Sequence, residues 1–250
     1  VSDIDPAVVA YEAFSGIYDE FTSANDYEMW FSKLLPMLEG LGLRQGALLD
    51  VACGTGRAFP PMLSRGWSIT ACDISPSMVE KAREKHPDGI ELHVCDMREL
   101  PVYGSFELVW ALNDPVNYLL GDDDLTQALR VMAANLAAGG LIVFDCNTRR
   151  LFHDFFEQRD DGPTDDARWK WEGRGGDGTF FQAEISGEQV EPHLHRERYR
   201  PVEEVEAALR EVGLVPLAAI GQLETEEGLD LNPDWDEDRD HKILHVARRA

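Results

Sequence analysis

The chain has 250 residues, 44% of them hydrophobic, and a formal net charge of −24. That much apolar sequence can bury the core of one domain, yet no apolar run approaches the roughly 20 residues needed to span a bilayer. The acidic balance excludes a nucleic-acid partner, whose affinity would rest on Lys and Arg neutralising phosphates, and leaves solubility and encounter with cationic small molecules as what the charge favours.

The N-terminus, Val1-Ser2-Asp3-Ile4-Asp5-Pro6, is acidic and does not resemble a signal peptide. Val8, Val9, Tyr11, Glu12, Phe14 and Ile17 predict one helix, and Tyr27 through Leu38 a second, with Trp30, Phe31, Leu34 and Leu35 on its apolar side. Strands are then expected at 47–52, 68–73, 90–95, 106–112 and 141–146, separated by helices at 57–65, 76–86 and 122–137. Apolar strands alternating with helices mean parallel βαβ units with right-handed crossovers. Cys53, Cys72, Cys95 and Cys146 fall in or just after four of these strands. That spacing is neither a zinc pattern nor a disulfide framework, and predicts buried free thiols in a cytoplasmic protein.

After Cys146 the pattern changes. Leu151 to Gln158 reads as a short helix and Asp160-Asp161-Gly162-Pro163 as a loop. Residues 167–172, 179–186 and 189–199 alternate apolar with polar, the mark of an antiparallel meander inserted into the parallel sheet. A helix from Pro201 to Val212 and strands at Leu214–Ile220 and Ile243–Ala247 close the chain, with an acidic surface loop expected over Glu224–Asp240.

The chemistry concentrates at Leu48-Leu49-Asp50-Val51-Ala52-Cys53-Gly54-Thr55-Gly56-Arg57. A strand ends in an acidic residue, passes two glycines that permit a sharp turn and close ligand approach, and enters a helix. A dinucleotide fingerprint would need a third glycine three residues after Gly56, where Phe59 stands, which disfavours an NAD(P)-dependent oxidoreductase. Asp73 and Asp96 end the next two strands. This stretch resembles motif I of class I S-adenosylmethionine-dependent methyltransferases, with Ala52 at a usual glycine position. The resemblance implies an α/β fold: a seven-stranded, mostly parallel Rossmann-like sheet in a single domain over residues 1–250. Within it, 1–40 would form a helical lid, 41–150 the cofactor-binding core, 160–200 the meander covering the substrate site, and 201–250 the closing helix and strands.

It also implies cofactor contacts. Asp73 matches the acidic residue that holds the ribose, with Ile74 and Met78 beside it, and Cys95-Asp96-Met97 matches the adenine contact. Asp50, Ala52, Gly54, Gly56 and Arg57 form the motif itself. Tyr18-Asp19-Glu20-Phe21 and Asp26-Tyr27-Glu28-Met29-Trp30 resemble the lid of small-molecule methyltransferases such as glycine N-methyltransferase, whose aromatics cover the methionine end; Tyr18 and Trp30 are the residues expected there. In Trp110-Ala111-Leu112-Asn113-Asp114-Pro115-Val116-Asn117-Tyr118, Leu112 matches a cofactor contact, and Tyr118 stands where related enzymes place a histidine.

For catalysis the candidates are therefore Tyr118, Asp114, Asn117 and His193, and for the substrate Tyr18, Asn113, Asn147, Arg149, His153 and His195. Glu191, His193 and His195 alternate on one strand face, but Pro192 and the mixed charge argue against a metal, and none is expected. The expected function is transfer of a methyl group from S-adenosylmethionine to a small-molecule acceptor, preferentially an amine nitrogen, by a monomer or homodimer acting away from membranes. A hydroxylated metabolite is the alternative acceptor.

Overall fold

The structure, a computed structural model, describes residues 4–157, 169–188, 190–225 and 228–250. The Asp160–Pro163 loop, Gln158, residues 167–168 and Gln189 of the expected elements lie outside them. Asp5 caps α1 (Pro6–Phe14) by accepting from the Ala7 amide, and Pro6 fixes the first helical φ. The single N-terminal helix expected over 8–17 therefore stops at Phe14. A one-turn α2 (Tyr18–Phe21) precedes α3 (Tyr27–Gly40), which Asp26 caps.

The alternation then follows as β1 (Ala47–Val51), α4 (Phe59–Ser64), β2 (Ser68–Asp73), α5 (Pro76–Lys85), β3 (Ile90–Val94), β4 (Phe106–Ala111), α6 (Asp124–Ala134) and β5 (Leu136–Asn147). Short 3-10 turns at Met97–Glu99 and Pro115–Tyr118 follow β3 and β4. Beyond β5 come α7 (Arg149–Phe152), a π-helical turn at His153–Glu157, and β6 (Trp169–Gly176), β7 (Phe180–Gly187) and β8 (Val190–Arg198). The chain ends with α8 (Val202–Glu211), β9 (Leu214–Thr225), β10 (Gly228–Asn232) and β11 (Lys242–Arg249).

The main sheet has eight strands in the order β10-β9-β11-β5-β4-β1-β2-β3. Strands β1 to β5 are parallel, and β11 and β10 run antiparallel to their neighbours. Two expectations change here. The acidic stretch 224–240 is not all loop, because Gly228–Asn232 turns back on β9 and adds an eighth strand. The meander is not inserted into the parallel sheet either: β6-β7-β8 is a separate three-stranded sheet. Its β8 packs on α1. His193, His195 and Glu197 face inward from β8, whereas Glu191 is exposed, since the β7–β8 register shifts between Ile185 and Gly187 and breaks the alternation there.

Alternation along the central strands divides the core. Leu48, Trp110 and Val143 pack with Phe31, Leu34 and Leu38 of α3. Leu49, Val109 and Ile142 pack with Leu129 and Met132 of α6 and Val205 and Leu209 of α8. All four cysteines are free, Cys72 and Cys146 buried and Cys53 and Cys95 partly so. Among the described residues no helix is long and apolar enough to cross a membrane.

His245 of β11 is buried and stacks on Phe144 with ring centroids 5.4 Å apart. Burial pushes its pKa down to about 3. The unfolded chain takes up this proton below its ordinary pKa of about 6.5 while the folded chain does not, so stability is full above 6.5 and is lost as pH falls towards 3. His245→Phe should retain the stack and remove that loss. Denaturant titrations should show the variant gaining on the natural protein by about 2 kcal/mol between pH 6.5 and 5.

Candidate active site

Among the described residues, three other than glycine adopt left-handed backbone: Ala52 (φ 60°), Asn113 (φ 67°) and Asp114 (φ 57°). Such conformations cost energy and collect at working sites. Ala52 follows β1 and Asn113-Asp114 follows β4, and these strands are neighbours. All three residues line one of two adjoining cavities at the carboxyl edge of the sheet.

The first cavity, about 660 Å³ with its open mouth, runs along the ends of β1, β2 and β3. Asp73 is its buried anchor, its oxygens accepting from the amides of Gly54 at 2.8 Å and Ser75 at 2.9 Å. A carboxylate has about four acceptor sites, so capacity remains for ligand hydroxyls. Burial pushes its pKa up to about 6. Gly54 has φ +54°, and a Cβ there would lie 3.3 Å from the Tyr18 ring, so glycine relieves both the left-handed backbone and a tight contact with that ring. Ile74, Cys95, Asp96, Met97 and Leu112 complete the wall. Asp96 is held by the Arg98 amide and guanidinium. This open cavity, with a buried carboxylate at the end of β2, fits a nucleoside group.

Other motif residues do different work. Asp50 is buried below the turn, and burial pushes its pKa up to about 7. Gly56 makes room for Phe59, whose ring a Cβ would meet at 2.5 Å. Met78 is buried in α5. Arg57 turns away from the cavity: its guanidinium donates to the Thr22 carbonyl, to Thr22 Oγ1 at 2.7 Å and to the Asn25 carbonyl at 3.2 Å. Trp30 lines neither cavity and packs 5.6 Å from Phe31 in the core.

The second cavity, about 1400 Å³ with its mouth, meets the first at Tyr11, Tyr18, Asn113 and Tyr118. Register explains its floor. β11 is antiparallel to both its neighbours, and Lys242 pairs with Asn147 of β5 and Gln222 of β9. All three line the cavity. Lys242 bridges Asp114 and Asp145, the latter at 3.2 Å, and Asn147 Nδ2 donates to Glu197 Oε2 at 2.7 Å. Burial, with the charge of Asp114 adding, pushes the Glu197 carboxyl well above the usual carboxylate range. Tyr118 Oη lies 2.7 Å from His195 Nδ1. Burial, reinforced by His193, pushes the His195 pKa down to about 3, and burial raises the Tyr118 phenol, so both stay neutral.

Four candidates from the sequence lie elsewhere. Asn117 is buried, accepting from the Asn147 amide and donating to the Arg198 carbonyl. His193 packs against Phe14 behind His195. Arg149 covers the Tyr199 ring at 4.2 Å, and His153 meets Asp154 on the exposed face. Tyr11, Glu197, Gln222 and Lys242 belong to the site although sequence reasoning did not select them. Only Glu197, in step with His193 and His195, carried a sequence signal. Among the described residues no group of three or more His, Cys, Asp or Glu is placed to hold a metal.

Arg57→Met would remove three hydrogen bonds that fasten residues 22–25 to the turn, each worth about 1 kcal/mol or more. Limited proteolysis should then cut between Thr22 and Asp26 several-fold faster, with the thermal midpoint of the core nearly unchanged.

Residues 48–140 match the methyltransferase domain family. The YqeM protein of Bacillus subtilis (strain 168) is 26% identical over 215 residues, which cover 81% of this chain and 85% of that protein. A dTDP-3-amino-3,6-dideoxy-alpha-D-glucopyranose N,N-dimethyltransferase of Streptomyces fradiae is 28% identical over 120 residues, covering 48% of this chain and 47% of that one. The crystal structure of an S-adenosylmethionine-dependent methyltransferase from Clostridium acetobutylicum ATCC 824 superimposes with a TM-score of 0.77 at 23% identity, covering 96% and 99% of the two chains. With the strand–turn–helix and buried Asp73 above, these likenesses mark residues 48–140 as a methyltransferase domain, in a chain with the fold of class I S-adenosylmethionine-dependent methyltransferases.

Proposed function

We propose that this methyltransferase acts on the nitrogen of a small-molecule amine, with the cofactor in the first cavity and the amine in the second. The carrying observation is the junction itself: Tyr11, Tyr18, Asn113 and Tyr118 border both cavities, and Glu197 lies on the acceptor side. Asp73 would accept the ribose hydroxyls, Asp96 and Met97 would flank the adenine, and Ala52, Gly54, Leu112 and Tyr18 would hold the methionine end. S-adenosylmethionine supplies an electrophilic methyl group on a sulfonium.

The protein's task is then to align the nucleophile, keep water out and deal with the amine's proton. Glu197 is suited to that proton. Burial raises the proton affinity of the Glu197 carboxyl, so once ionised it would hold the amine's proton more strongly than an ordinary carboxylate. His195 is not suited, because its imidazole stays neutral down to about pH 3. It serves instead as partner to Tyr118, whose hydroxyl orients the acceptor. The β6-β7-β8 sheet and α1 form the cover that excludes water. The sugar N,N-dimethyltransferase likeness supports nitrogen as the acceptor atom.

Glu197→Gln should lower kcat by roughly a hundredfold, the usual size of a general-base contribution, and leave S-adenosylhomocysteine affinity unchanged. His195→Gln should cost less than about tenfold. The reverse ranking in steady-state kinetics would sink the amine reading in favour of a hydroxyl acceptor. Separately, Asp73→Asn should weaken S-adenosylhomocysteine binding by roughly 2–3 kcal/mol, the scale of a charged hydrogen-bond pair. In the natural protein calorimetry should show affinity declining as pH falls through about 6, where Asp73 takes up a proton and loses acceptor capacity. An affinity flat from pH 8 to 5 would remove Asp73 from the ribose.

A further inference from the structure

The outer half of the acceptor cavity has a chemistry of its own. Its carboxylates, Asp114 and Glu197, gather near Asn113 and Tyr118, which border the cofactor cavity; none of the phenylalanines and tryptophans that line the acceptor cavity does. The aromatic wall is continuous although it comes from three separate segments. Trp171 of β6 is its centre, with ring centroids 6.0 Å from Phe21 of α2, 5.3 Å from Phe156 of the π-helical turn and 5.5 Å from His195. Trp169 stands 4.8 Å from Phe21 on the same wall. The indole N–H of Trp171 donates to the Phe155 carbonyl at 2.8 Å, so its one polar atom is already engaged and the ring offers the cavity an apolar face.

At the mouth, Phe155 is 41% exposed. It continues outward the wall of half-buried Trp169 and Trp171, so the apolar lining reaches the cavity's mouth. Charge points the same way. A diphosphate would require cationic partners, commonly bidentate arginines. Among the described residues no arginine lines this cavity, and Lys242 is engaged by Asp114 and Asp145. The relative from Streptomyces fradiae is named for a dTDP-linked amine, whose diphosphate would need such cationic partners.

We propose that the cavity takes an amine borne on an aromatic or similarly flat apolar ring and free of phosphate, the ring lying against Trp171 and Phe21 and the nitrogen reaching Tyr118 and Glu197. This rests on the assignment of the second cavity to the acceptor. The test is calorimetric titration of the full chain, saturated with S-adenosylhomocysteine, using tryptamine, indole-3-propionic acid and thymidine diphosphate as probes. Tryptamine should bind, and the other two should bind at least about tenfold more weakly. Trp171→Ala should weaken tryptamine by about tenfold, the scale of one lost aromatic contact, with S-adenosylhomocysteine affinity unchanged and Trp171→Phe restoring most of the loss. If Trp171→Ala fails to fold, Phe21→Leu carries the same expectation. Tighter binding of thymidine diphosphate than of tryptamine would overturn the ring-amine assignment, as would an unchanged tryptamine affinity in both aromatic variants. Indole-3-propionic acid binding as well as tryptamine would sink the amine part. A chain that does not bind S-adenosylhomocysteine at all would overturn the cavity assignment beneath it, a failure visible before any acceptor probe is added.

Discussion

Asp73 ties together the two turns on which the nucleotide half of the molecule is built. One oxygen takes the amide of Gly54 in the turn after β1, and the other takes the amide of Ser75, which then caps α5 through its hydroxyl on the Met78 amide. A buried carboxylate without such donors would be costly, and burial is what raises its pKa. Its position follows from parallel pairing, which sets Asp50 beside Ala71 and Val51 beside Cys72, so β1 and β2 end together. The left-handed residues Ala52, Asn113 and Asp114 then carry the chain off the strand ends and open space above them.

The first cavity was legible in the sequence because its determinants are local. A strand, two glycines and a helix follow one another without interruption, and Asp73 and Asp96 come at the next two strand ends. The same stretch also shows where residue type misleads. Arg57 and Trp30 have the chemistry of ligand contacts, but packing turns Arg57 toward Thr22 and buries Trp30 against Phe31. Direction is a tertiary property that spacing does not encode.

The second cavity was far less legible, because its walls are assembled by register and docking. Lys242 reaches the site because β11 starts where β5 ends, a consequence of antiparallel pairing between residues almost a hundred positions apart. Tyr11 reads as one more apolar position of a helix until α1 packs on β8. Glu197 reads as solvated charge on a mixed strand, yet the face it shares with His193 and His195 is the buried one. The fold is shared at TM-score 0.77 with a chain only 23% identical.

The N-terminal segment has a bearing on the order of events. Asp5 and Ala7 line the cofactor cavity, and the segment is fastened through Asp5 to Arg98, Glu12 to Ser75 and Ser77, and Asp19 to Thr55 and Lys85. Two of these fasteners are ion pairs and three join a carboxylate to a hydroxyl; only the Asp19–Lys85 pair is exposed, where ions screen it and it is worth little alone. A nucleoside in that cavity would leave only after several such contacts let go together, while the acceptor has its own mouth beside Phe155. Occupancy of one cavity would thus outlast turnover in the other. Such kinetic asymmetry would work against successive methylations in one encounter, because a methylated product would leave through its own mouth before the spent cofactor was exchanged.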